Sequence, residues 1–158
     1  LRVGYLIANW EVLSRILPHK TDAGSGSLEQ MALAEFCKEN FNSHVKTIKN
    51  KLQKKSEAIC NSLDKYFGSS AEYKKPDGGI FVWVDMHSKV DTSRLYELAL
   101  KDGVAINPGN EWSINKSGRH KMRLCFGNPS IKEIDEGIKR LAIICRKEFG
   151  IPTKIANL

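Results

Sequence analysis

The sequence predicts an α/β chain whose second half is a small α+β domain of β-α-β-β-α order. One long helix joins that domain to a preceding strand with helices. Three observations carry this expectation. Segments dense in β-formers alternate with segments of helical period, which favours a layered sheet-and-helix arrangement. Residues from about 42 to 67 form one uninterrupted amphipathic stretch. The 158 residues are 41% hydrophobic and 27% charged, values of a chain that packs a core.

The opening run Val3, Tyr5, Leu6, Ile7 and Ala8 leaves little room for a polar face and reads as a buried strand. A short helix from Trp10 to Leu17 should stop near Pro18. After a polar turn, Ser27 reads as an N-cap with Gln30 three residues on, opening a helix from Leu28 to about Lys38. In the long helix Phe41, Val45, Ile48, Leu52, Ile59, Leu63 and Tyr66 fall on an arc of about 60°, and Gly68 is its stop signal. Ser69 to Lys75 is polar, and Pro76-Asp77-Gly78-Gly79 is a turn.

Ile80 to Met86 reads as a strand. A helix from Ser93 to Lys101 is capped at Asp91 or Thr92 and closed by Asp102-Gly103. Val104-Ala105-Ile106 reads as a short strand, Met122 to Phe126 as another. Asn128-Pro129-Ser130 opens a last helix. There Ile131, Ile134, Ile138, Leu141, Ala142, Cys145 and Phe149 make an apolar stripe about 100° wide. The tail from Ile151 has no clear pattern.

The net charge of +7 raises an acidic partner as a question. Lys46, Lys49, Lys51, Lys54 and Lys55 scatter around the helix instead of gathering on one side, so they read as a solvated face and not as a nucleic-acid reader. No apolar run approaches the roughly 18 residues of a membrane span. The four cysteines lie far apart without a C-x-x-C pair. They read as small buried thiols in a reducing, cytoplasmic compartment, not as a disulfide framework or a metal site. The four histidines have no acidic or cysteine partner at a recognisable spacing.

Two arginines stand apart. Arg2 heads an apolar run, where a charge is costly unless it meets an anion. Arg123 lies in Met122-Arg123-Leu124-Cys125-Phe126; at period two it shares a face with Cys125, opposite Met122, Leu124 and Phe126. A guanidinium so placed suits a bidentate clamp on a carboxylate. It equally suits an arginine on a wet sheet face, and the pattern alone leaves both open.

The order of these segments resembles the class I/II aminotransferases of pyridoxal-phosphate (PLP) fold type I, over nearly the whole chain. The likeness is nearest to the aminoadipate/kynurenine aminotransferase branch and the aminotransferase-like domains of MocR-type regulators. Leu1-Arg2-Val3-Gly4-Tyr5 is similar to the end of the family's lysine motif, Gly-Leu-Arg-x-Gly-Tyr/Phe. Pro76-Asp77-Gly78-Gly79-Ile80-Phe81-Val82-Trp83 looks like its Pro-x-Gly-Gly-hydrophobic-Phe-hydrophobic-Trp strand. Gly103 to Gly109 looks like its Gly-Val-x-x-x-Pro-Gly turn, and Met122 to Phe126 like its hydrophobic-Arg-Leu-x-Phe strand. One departure is Trp112, where the family commonly has Phe.

The resemblance implies a C-terminal part of an aminotransferase that exchanges an amino group between an α-amino acid and a 2-oxo acid, as a homodimer with PLP. Residues 1–40 would end the large PLP-binding domain, 41–68 would be the linking helix, and 69–158 the small domain. Arg2 would hold the cofactor phosphate, Arg123 the substrate α-carboxylate, and Phe81 would stand near the substrate side chain. The lysine that binds the cofactor covalently would lie upstream of Leu1. The alternative is the effector-sensing domain of a MocR/GntR-type regulator, which an upstream winged-helix segment would decide. If the lysine is upstream, this chain alone does not transaminate. Incubation with PLP, an amino acid and 2-oxoglutarate gives no glutamate above a PLP-only control, and turnover by the purified chain would overturn that assignment.

Overall fold

A computed structural model describes residues 2–114 and 117–154. The chain divides into two compact units, 1–47 and 48–158. In the first, α1 (Trp10–Ile16) starts at Asn9, whose side chain accepts from the Val12 N–H, and runs into a 3₁₀ turn, Leu17–His19. Here the expected strand at Val3–Ala8 is absent: the segment has no regular structure, and Tyr5 and Ile7 are 90% and 85% exposed. An apolar strand of the parallel type needs edge partners, and the described residues offer it none.

The two helices expected at Leu28–Lys38 and 42–67 are one, α2 (Ser27–Tyr66), which runs through both units. The gap between them, at Glu39 and Asn40, contains neither Gly nor Pro, and Asn40 caps nothing: its amide donates back to the Phe36 carbonyl. Only the last part of the apolar stripe is buried, at Ile59, Cys60, Leu63 and Tyr66, while Phe41 and Ile48 stay exposed.

The second unit holds an antiparallel sheet of order β1-β2-β4-β3. Its strands are β1 (Ala71–Tyr73), β2 (Phe81–Met86), β3 (Asn107–Pro108) and β4 (Lys121–Cys125). With β1 included, the order is β-β-α-β-β-α and not β-α-β-β-α. The strand expected at Val104–Ile106 lies instead at Asn107–Pro108, on the sheet edge, where a proline removes no ladder bond. Between them, α3 (Thr92–Lys101) is capped by Asp91, whose carboxylate accepts from the Ser93 and Arg94 N–H groups. The last helix, α4 (Ile131–Phe149), opens on a Ser130/Glu133 capping box and closes at Gly150 in the left-handed conformation.

The alternation of β2 and β4 builds the core. Val82, Val84, Met86, Met122 and Leu124 are buried together with Leu63 and Phe67, Leu95 and Ala99, and Ile134, Ile138, Leu141, Ala142 and Cys145. The patternless tail contributes Ile151, also fully buried. All four cysteines are free; Cys60 and Cys145 are buried, the latter thiol pushed up to about 12 by desolvation, whereas Cys125 is exposed, contrary to its reading as a buried thiol. Among the described residues no helix is long and apolar enough to cross a membrane.

One carboxylate ties α4 to α2. Asp135 accepts from Ser62 Oγ at 3.1 Å, Lys65 Nζ at 3.2 Å and Tyr66 Oη at 2.9 Å. Partial desolvation pushes this carboxyl up, but the hydrogen bonds from Tyr66, Lys65 and Ser62 outweigh it and hold it below the usual range. A folded-state value below the unfolded one adds stability above the unfolded pKa, and that stability is lost as pH falls through the folded value. Asp135→Asn should therefore cost about 1 kcal/mol at pH 7, a figure kept small because the side chain is 43% exposed. Urea unfolding of both proteins should show the gap closing as the pH drops through the carboxylate range, and a pH-independent gap would contradict this account.

Candidate functional site

The face of the sheet opposite the core is the polar and aromatic one. On β2 it displays Phe81, Trp83 and Asp85, and on β4 Lys121, Arg123 and Cys125. Trp83 lies directly across from Arg123, and Asn107 of β3 faces Arg123 from the other side. Phe81, paired with Cys125, is thereby the diagonal neighbour of Arg123, within reach of a long side chain.

The Arg123 guanidinium lies between two rings. Its Cζ is 4.1 Å from the centroid of Phe81 and 3.9 Å from that of Trp112. Cation–π attraction at such distances favours the charged group over each ring. With its faces covered, the guanidinium has only its edge for hydrogen bonds. One Nη donates to Asn107 Oδ1 at a long 3.4 Å. The Nε is buried and has no hydrogen-bond partner among the described residues. A buried donor left unpaired on a charged group is costly, and in native proteins it calls for a specific explanation. A carboxylate meeting Nε and an Nη would supply one, through the fork geometry only Arg offers.

Trp112 reaches this position through a tight turn. After Pro108 the chain makes a 3₁₀ turn, Gly109–Trp112. Gly109 is pressed against the following segment: a Cβ there would come within 2.5 Å of the Gly118 carbonyl oxygen and 2.6 Å of that of Lys121. Gly118 is equally tight, its Cβ position lying 2.3 Å from the Gly109 carbonyl oxygen. Two glycines thus let backbone pass against backbone, and the turn they fix carries the indole over Arg123.

Two of the three candidate residues, Arg123 and Phe81, are in contact. Arg2 belongs to the first unit. It is exposed and is not at the head of a strand: its φ is +56°, the only positive value at a non-glycine among the described residues. Such a conformation is sparsely populated outside glycine and stores local strain. An exposed guanidinium suits a phosphate, as the enclosed edge of Arg123 suits a carboxylate. Sequence reasoning noted Trp112 only as a departure from the family's usual Phe and gave Asn107 no role. The Pro-Gly turn brings both next to the arginine strand only after the sheet has formed.

The open face of the small antiparallel sheet thus carries an arginine with two rings against it, in a chain of mixed α/β class. Residues 1–141 match the family aminotransferase class I and II, and the chain belongs to that family. The 2-aminoadipate transaminase of Thermus thermophilus is 29% identical over 143 residues, 89% of this chain and 36% of that protein. The HTH-type transcriptional regulator YisV of Bacillus subtilis is 31% identical over 150 residues, 93% of this chain and 31% of the regulator. Among solved structures, the α-aminoadipate aminotransferase LysN of Thermus thermophilus, complexed with N-(5'-phosphopyridoxyl)-L-leucine, has a TM-score of 0.78 at 27% identity. That likeness covers 89% of this chain and 37% of LysN. The chain therefore spans about a third of the length of the proteins it resembles.

Proposed function

We propose that this chain is the C-terminal part of a PLP-dependent aminotransferase that transfers an amino group between an α-amino acid and a 2-oxo acid. The observation that carries the proposal is the Arg123 guanidinium, held between Phe81 and Trp112 with its Nε buried and unpaired. Residues 1–40 form the end of the large domain, 41–68 the link, which holds the second part of α2, and 69–158 the small domain. The whole protein works as a homodimer in the cytoplasm, in amino acid metabolism, as its family membership leads one to expect. Similarity to a transcriptional regulator supports a second reading, in which the same module senses an effector for DNA binding. A winged-helix segment in the upstream sequence would decide for it.

When bound, PLP supplies the electron sink for charge developing at the substrate α-carbon. This chain's residues bind and orient. Arg123 grips the α-carboxylate through its edge, which restricts rotation about the bond to the α-carbon and so sets the direction of the Cα–H bond. Phe81 stands beside the clamp and limits the room for the substrate side chain. Arg2 offers its charge to the cofactor phosphate.

Arg123→Lys keeps the charge and loses the planar fork. In the full-length protein it should lower kcat/KM for amino acids by at least about tenfold, roughly 1.4 kcal/mol or more. The corresponding amine without a carboxylate should change much less. Single-turnover spectra with each donor make the comparison, and equal losses would leave Arg123 a structural residue. Arg2→Ala should weaken cofactor retention more than it alters substrate preference, by about 1.5–3 kcal/mol for the lost charged contact. Cofactor remaining after dialysis measures this, and unchanged retention would make Arg2 an ordinary surface charge.

A further inference from the structure

Trp112 does too little for the core to be explained by packing. Its indole is 55% exposed, whereas the core residues of β2 and β4 are 4% exposed or less. The ring nevertheless stands 3.9 Å from Arg123 Cζ, closer than Phe81 does on the other face. The backbone that brings it there tolerates only glycine at 109 and 118. A large side chain kept half in water and held over one cation by a constrained turn acts on that cation.

The Arg123 hydrogen bonds alone are too few to fix the fork. One long contact to Asn107 Oδ1 leaves the guanidinium free to rotate about it, and the buried Nε has nothing to hold it. An arginine side chain has many rotamers to lose before its plane is fixed. Two rings, one above and one below, remove the out-of-plane motions and leave the edge aimed in one plane. Phe81 alone covers one face only, and without Trp112 the side chain can lift off it toward water, where Nε is solvated.

We propose that Trp112 is a positioning residue: by closing the second face of the Arg123 guanidinium it fixes the plane in which the fork meets the substrate carboxylate. This rests on the carboxylate-clamp reading above and adds to it the element that makes the clamp rigid before substrate arrives. A planar ring is the requirement, so phenylalanine should substitute and leucine should not.

The test has two arms. In the 158-residue chain, the Arg123 Nε–Hε signal is assigned by its loss in Arg123→Lys. It should lie upfield, because both rings shield a proton held between their faces, and it should exchange slowly. Trp112→Leu should move it downfield and quicken exchange by about tenfold or more, while Trp112→Phe stays within about threefold. In the full-length cofactor-loaded protein, Trp112→Leu should raise KM for amino acids by about tenfold with kcat much less changed. Trp112→Phe should restore KM, and the carboxylate-free amine should react alike in all three proteins. Thermal unfolding of each variant identifies any failure to fold, in which case Trp112→Phe and Trp112→Met carry both readouts. An Hε signal indifferent to Trp112→Leu overturns the inference, as do equal losses for acid and amine. If instead Arg123→Lys itself leaves the preference for acid over amine intact, the clamp reading falls and takes the inference with it. An intact Arg123 effect beside an unaffected Trp112→Leu overturns the inference alone.

Discussion

Antiparallel pairing of β2 with β4 sets both the core and the site, because successive side chains of a strand point to opposite faces. With Val82 against Leu124 and Trp83 against Arg123, one face is wholly apolar and the other carries the arginine with its aromatic neighbours. A slip of one residue on β4 would send Arg123 into the core and Met122 and Leu124 into water. The buried methionine and leucine therefore hold the guanidinium where it is as firmly as any contact of its own. The packed core and the placement of Arg123 here are two results of one register.

The outward face shows what that register makes available. Phe81 is 38% exposed and Trp112 more so, yet both rings lie within stacking distance of one cation. Each gives up part of its hydrophobic burial for contact with a charge. That charge is held with few hydrogen bonds, which keeps the donors at its edge available. A lysine could occupy the same place, but a point charge has no plane to stack and no edge to aim. The identity of the residue follows from the shape of the cage.

Local signals made much of this legible. The apolar stripe of α4, the cap at Asp91, the β-forming run of β2 and the alternation of β4 are all written within a few residues of one another. Arg123 could be singled out because its two neighbours on β4 are apolar. What was not legible depended on distant partners. The run Val3–Ala8 has the composition of a buried strand and, among the described residues, none of the neighbours a strand needs. β1 is three residues, Ala71-Glu72-Tyr73, too short to show a period, and exists because β2 has an open edge. β3 contains a proline that reads against a strand, and only its edge position permits it. The continuity of α2 was hidden by polar residues near Asn40, which cost a helix little when solvent surrounds them.

The same distinction separates the two units. In the first, no described residue is buried, and α1 has seven residues, a length at which an isolated helix is marginal in water. Its order comes from local devices such as the Asn9 cap and the Glu11–Arg15 pair, each worth little at an exposed site. In the second, α2 gains a buried face from about Ser56 onward and is locked to α4 through Asp135. Arg123 sits in that second unit, on a strand whose inward residues are fully enclosed, whereas Arg2 sits on exposed backbone with a strained φ. The carboxylate clamp proposed for Arg123 would have to orient its ligand closely, and the enclosed strand supplies the support for that. The phosphate contact proposed for Arg2 would ask less of its backbone, because charge attraction is tolerant of direction.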